Sequence, residues 1–152
     1  MNIYLAEQAG FCFGVKRAVQ EALKVKEEYN KRVYTLGPLI HNNDVVDFLK
    51  KKNIYPVELS EIASLKQDDV VIIRSHGVPL SVKDMLRERK LVVLDATCPF
   101  VSNIQHIVKK HYESGYKIVI VGDSSHPEVI GINGWCENSA VITKNGTELN
   151  DF

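Results

Sequence analysis

The chain has 152 residues, 45% of them hydrophobic and 25% charged, a globular composition able to bury a substantial core in one or two small domains. Lysine plus arginine equals aspartate plus glutamate at 19 each, so no long-range field attracts a nucleic-acid backbone or an anionic membrane, and both partners are disfavoured. No apolar run reaches the ~18 residues of a membrane span, and residues 1–7 lack the basic start and apolar stretch of a secretory leader, so the expected location is the cytoplasm.

In chain order, residues 2–6 predict a short strand. Residues 14–29 predict a helix with Val15, Ala18, Val19, Ala22 and Leu23 on its apolar side and lysine and glutamate opposite. Val33 to Leu36 reads as a strand, and Asn42 or Asn43 caps a helix that carries Val45, Val46, Phe48 and Leu49. Ile54-Tyr55 returns as a strand. Val70-Val71-Ile72-Ile73 has the continuous apolar character of a strand buried on both faces; a helix opened by Pro79 follows over 79–89, and a strand over 91–94. A helix over 99–112, a strand over 117–121, a short helix over 127–132 and a strand at 140–142 come next. Residues 145–149 resemble the cap and first turn of another helix.

Alternating buried strands and amphipathic helices predict an α/β fold with small, mostly parallel sheets and right-handed crossovers. The expected organisation is an amino-terminal strand segment over 1–13, a first three-layer lobe over 14–96, and an incomplete second lobe over 97–152.

An internal repeat links the two lobes. Cys12 and Cys98 are 86 positions apart, whereas Gly37 and Gly122, like His41 and His126, are 85 apart. Cysteine, glycine and histidine are displaced almost as a rigid set, which marks a repeated supersecondary unit. In parallel α/β sheets, sites collect outside the carboxyl ends of the strands. Segments 37–41, 74–76, 95–98 and 122–126 all fall there.

Three widely spaced cysteines, an odd number with no C-x-x-C pair, do not form a secreted disulfide framework or a local zinc motif. Each of Cys12 and Cys98 precedes a predicted helix, where a thiolate is favoured. Read singly, such a cysteine is a small buried hydrophobe, and the matched repeat positions bring the ligand reading level with that one. Cys136 has no repeat equivalent and reads as structural. His41, His76 and His126 each follow a strand and stand ahead of a helix start, which outlines an anion pocket. His106 and His111 lie inside a helix, about 140° apart around its axis, and are not expected to share a metal. Glu128 falls in a first helical turn, where a carboxylate suits the dipole; in a closed anionic pocket its pKa would rise, allowing proton donation. Arg74 either binds a phosphate or pairs with an acidic neighbour such as Asp95.

Five ordered segments, Ala9 to Val19, Leu36-Gly37-Pro38-Leu39-Ile40-His41-Asn42, Ile73-Arg74-Ser75-His76-Gly77, Asp95-Ala96-Thr97-Cys98-Pro99 and Ser125-His126-Pro127-Glu128-Val129, resemble the motifs of the 4-hydroxy-3-methylbut-2-enyl diphosphate reductase family. That resemblance implies a 4Fe-4S cluster held by three cysteines, at which an allylic diphosphate loses its hydroxyl to give isopentenyl and dimethylallyl diphosphate. Ferredoxin or flavodoxin is the implied electron donor. By position, Cys12 and Cys98 resemble two cluster ligands, His41, His76 and His126 the diphosphate-binding histidines, and Glu128 the proton donor. The family has three similar lobes, so a third cysteine is expected beyond this chain, near position ~184 by extension of the repeat. The chain then resembles the amino-terminal portion of the enzyme, inactive alone. Two other readings of the same residues stand beside this one: a non-redox diphosphate-binding module, and a zinc hydrolase using the three histidines, although no H-E-x-x-H helix is present.

Overall fold

The computed structural model describes residues 2–7, 9–29 and 31–149. Among these residues five helices and six short strands follow one another: α1 (Phe13–Glu28), β1 (Val33–Leu36), α2 (Asn43–Lys51), β2 (Ile54–Val57), β3 (Val70–Ile73), α3 (Leu80–Glu88), β4 (Val92–Asp95), α4 (Pro99–Glu113), β5 (Val119–Val121), α5 (Pro127–Asn133) and β6 (Val141–Thr143). Three 3-10 turns join them at Leu59–Ser64, Gly134–Cys136 and Thr147–Leu149.

The first sheet is parallel throughout, in the order β2-β1-β3-β4. Strand β3 explains its own composition, because side chains alternate across a strand and both faces here are covered. Val70 and Ile72 join one core with Ala18, Ala22 and Val25 of α1 and Leu49 of α2. Val71 and Ile73 join the opposite core with Ile62, and with Val82 and Leu86 of α3. The result is three layers. Ala18 and Ala22, one turn apart and both fully buried, present the smallest side chains to the sheet and let α1 lie close on it.

The second sheet, β5-β6, is parallel and covered on one face. Ile118 and Ile120 pack with Val108, Ile132, Trp135 and Cys136, whereas Val119 and Val121 point outward with 37% and 75% exposure. The repeat extends to individual backbone bonds: Gly37 N–H donates to Val57 O and Gly122 N–H donates to Thr143 O, each at 2.8 Å. Among the described residues no helix is long and apolar enough to cross a membrane.

Two expectations need correction. Residues 2–6 form no strand; Ile3, Tyr4 and Leu5 are 76%, 88% and 91% exposed, and residues 2–6 join neither sheet among the described residues. The helix expected to open at 145–149 is a 3-10 turn, Thr147–Leu149, held by Asn145 Oδ1 accepting from Thr147; residues 150–152 lie outside the described residues. The turn Leu59–Ser64, which sequence reasoning passed over, closes with a capping box in which Glu58 N–H donates to Glu61 Oε2 at 2.8 Å.

Candidate functional site

Parallel strands place their carboxyl ends on one rim, and the loops there carry the polar residues of the repeat. His41 follows β1, Arg74 to Gly77 follow β3, Cys98 follows β4, and His126 follows β5. Short backbone bonds fix the central loops. Ala96 N–H donates to Ile73 O at 3.0 Å and Cys98 N–H to Ser75 O at 2.9 Å, so the Cys98 and His76 loops run side by side.

The three histidines meet. His76 stands between the other two, its ring centroid 5.1 Å from that of His41 and 5.8 Å from that of His126. His41 and His126 are exposed, while His76 is half-buried and its Nδ1 has no hydrogen-bond partner. Desolvation, followed by the nearby His41, Arg74 and His126, lowers the His76 pKa from 6.5 to about 4. His76 is therefore neutral at pH 7 in the free protein. His126 is the N-cap of α5, and its Nδ1 accepts from the Glu128 N–H at 3.2 Å. In that tautomer the neutral ring carries its proton on Nε2, the nitrogen left free to donate. Asp123 braces the approach to His126 by accepting from the Ser125 N–H and hydroxyl and pairing with Lys144 at 2.7 Å. These bonds hold its carboxyl below the usual range. The Glu128 side chain is half-buried in the first turn of α5.

Arg74 does not pair with Asp95. Asp95 binds Lys83 at 2.7 Å and accepts from the Thr97 hydroxyl and N–H. Desolvation pushes the Asp95 carboxyl up, and the bonds from Lys83 and Thr97 outweigh it, leaving its pKa below the ordinary value. Arg74 instead lies over Gly37, where a Cβ would stand 2.9 Å from Nη1, and its Nε is buried without a partner. Burial lowers its pKa against the opposing pull of Glu58. A 170 Å³ cleft lined by Gly37, Glu58, Arg74, Val78, Pro79 and Ile130 opens beside it.

Cys12 and Cys98 are the N-cap residues of α1 and α4, and neither makes a side-chain cap bond. Both are free thiols, Cys12 exposed and Cys98 partly so. The two helix starts touch: a Cβ on Gly14 would stand 2.8 Å from Cys98 Sγ, and Arg17 Nη1 donates to Thr97 O at 3.0 Å. Cys136 is fully buried in the second core and lies against Asn133 O at 3.2 Å, unavailable as a ligand without unfolding its turn. Among the described residues no group of three His, Cys, Asp or Glu side chains is placed to hold one metal ion, so the zinc reading has no site. Two accessible uncapped thiols suit two corners of a thiolate-ligated centre and leave its remaining ligation to residues outside this set.

Residues that sequence reasoning missed are Arg17, Lys83, Trp135 and Gln105. For Gln105 a signal existed. It occupies the buried stripe of α4 between Val101 and Val108, at i+4 and i+7 spacing, where a polar residue is out of place.

Fold and rim define an α/β protein that presents thiols and imidazoles together at the carboxyl ends of parallel strands. The chain belongs to the LytB protein family, whose model matches residues 3–152. It is 63% identical over 151 residues to the 4-hydroxy-3-methylbut-2-enyl diphosphate reductase of Clostridium perfringens (strain 13 / Type A), covering 99% of this chain and 54% of that protein. It is 59% identical over 153 residues to the reductase of the same name from Clostridium tetani, covering 100% of this chain and 24% of that protein. A solved (E)-4-hydroxy-3-methyl-but-2-enyl diphosphate reductase, described as the terminal enzyme of the non-mevalonate pathway, superposes with a TM-score of 0.81 at 44% identity, over 96% of this chain and 52% of that one. A Plasmodium falciparum reductase shares the fold, with a TM-score of 0.87 at 24% identity over 96% of this chain and 45% of that one. The chain thus spans about half the length of the first curated relative it matches.

Proposed function

We propose that this chain forms part of a 4-hydroxy-3-methylbut-2-enyl diphosphate reductase, to which it contributes the histidine cradle for the substrate diphosphate and two of three thiolates for a 4Fe-4S cluster. One observation carries the reading. His41, His76 and His126 are in ring contact on the same rim that presents the uncapped thiols Cys12 and Cys98. When bound, the cluster supplies the electrons for removing the allylic hydroxyl, the chemistry that the relatives' name describes.

The chain's own residues bind and orient. Imidazole N–H groups of His76 and of His126, the latter through Nε2, donate to diphosphate oxygens, and Arg74 adds positive charge behind His76. Glu128, in the first turn of α5 beside His126, supplies a proton to the departing hydroxyl. Free thiols fit the cytoplasm, and a ferredoxin or flavodoxin delivers the electrons.

The test is a chimera in which this chain replaces the matching span of the Clostridium perfringens reductase. The chimera is expected to be an active reductase, and Glu128→Gln to lower kcat by at least ~100-fold with diphosphate affinity retained. Turnover unchanged by Glu128→Gln would refute the proton-donor role. An inactive, correctly folded chimera would refute the assignment.

A second reading rests on the cradle being assembled wholly within this chain. The chain alone then binds inorganic diphosphate without redox chemistry, and calorimetry on the 152-residue protein decides it.

A further inference from the structure

Gln105 is fully buried, and neither its Nε2 nor its Oε1 has a hydrogen-bond partner. An unpaired buried amide is destabilising relative to an apolar residue of the same shape, so its presence calls for a physical reason. Its surroundings supply one. The carboxamide presses on Gly77, where a Cβ would stand 2.4 Å from Nε2 and 3.0 Å from Thr97 Cγ2. On its other side is Gly131 of α5, whose Cβ would lie 3.6 Å from Nε2, 3.4 Å from His76 O and 3.5 Å from Gly77 O. Gln105 itself belongs to α4, the helix that Cys98 opens. One amide therefore stands where the His76 loop, the helix begun by Cys98 and the helix begun by His126 converge.

The neighbours are shaped to it. Gly77 has φ +70°, a backbone that side chains rarely adopt, and also the position where any side chain would collide with Gln105. The adjoining His76 leaves its Nδ1 buried and unpartnered as well, so two sets of unmatched polar atoms fall within one tight turn and the helix beneath it. Unmatched polar groups concentrated at one junction are characteristic of a site where local stability is given up for function.

We propose that Gln105 is a positioning residue of the anion cradle: its carboxamide supports the His76–Gly77 turn and fixes the His76 imidazole between His41 and His126. The proposal rests on the diphosphate-cradle reading given above, and it identifies a residue on the second-lobe helix α4 as what sets the geometry of a first-lobe loop. Gln105 does not touch the anion; it acts through His76.

Gln105→Ala, which removes the side chain packed on Gly77, tests this in the 152-residue chain. A merely structural glutamine predicts a changed Tm and an unchanged site. A positioning role predicts displaced His76 imidazole resonances in NMR. The His76 titration midpoint then rises from about 4 toward 6.5 as the turn relaxes away from its desolvated seat among His41, Arg74 and His126. Inorganic diphosphate binds at least ~10-fold more weakly, a change of about 1.4 kcal/mol. Gln105→Ser serves as a second variant if the alanine chain does not fold. His76 resonances and midpoint identical to those of the parent overturn the proposal. Failure of the parent to bind diphosphate counts instead against the cradle, because the NMR arm needs no ligand.

Discussion

His76 concentrates the site's electrostatics in one side chain. Its folded midpoint, about 4, lies below the ordinary 6.5, so between those values the native state binds fewer protons than the unfolded chain. The stability it contributes is present above pH 6.5 and is lost as pH falls toward 4. The urea midpoint of the parent should therefore drop more than that of His76→Gln between pH 7 and pH 4.5. Parallel pH profiles for the two proteins would contradict the desolvated placement of the ring. At this scale the sequence already showed that Cys12, His41, His76, Cys98, His126 and Glu128 fall just after strands or at helix starts. Their mutual contacts were not legible, because ring distances depend on loop paths that periodicity does not encode. Of the choices left open for Arg74, pairing with Asp95 is removed by Lys83, which takes that carboxylate.

Helix starts separate structure from ligation. Asn42 caps α2 by accepting from the Val45 N–H at 3.1 Å, and Asn42→Ala should cost ~1 kcal/mol, a loss read from thermal denaturation. Cys12 holds the corresponding position in α1 with extended backbone, φ −62° and ψ 166°, and no side-chain cap bond. Serine caps well there. Cys12→Ser should leave Tm unchanged or raise it, whereas a clear loss of Tm would show that the thiol is a packing group. Elements with both a period and a punctuation mark were legible: β1 and β3 at their observed bounds, α2 with its asparagine cap, α4 and α5 each opening on proline. Residues 2–6 have the composition of a strand and join neither sheet among the described residues, since strand formation depends on pairing that composition cannot report.

Across the whole molecule, Trp135 ties the turn Gly134–Cys136 to the loop between β3 and α3. Its Nε1–H donates to Val78 O at 3.0 Å, and Lys83, itself bound to Asp95, lies 5.0 Å from its ring centroid. Trp135→Phe keeps most of the apolar surface and strands a buried carbonyl, so it should cost about 1–3 kcal/mol in urea unfolding; an unchanged midpoint would show that the bond is dispensable. Nothing in the sequence paired residues so far apart. Under the proposed function Cys12 and Cys98, and not Cys136, are ligands of one iron–sulfur centre. The direct measurement is iron and acid-labile sulfide content, with visible absorbance, after anaerobic reconstitution of the Clostridium perfringens chimera and its three single Cys→Ser variants. About four irons per chain are expected in the parent and in Cys136→Ser, with the visible absorbance lost in Cys12→Ser and Cys98→Ser. A full, unaltered cluster in both of the latter variants would contradict this assignment.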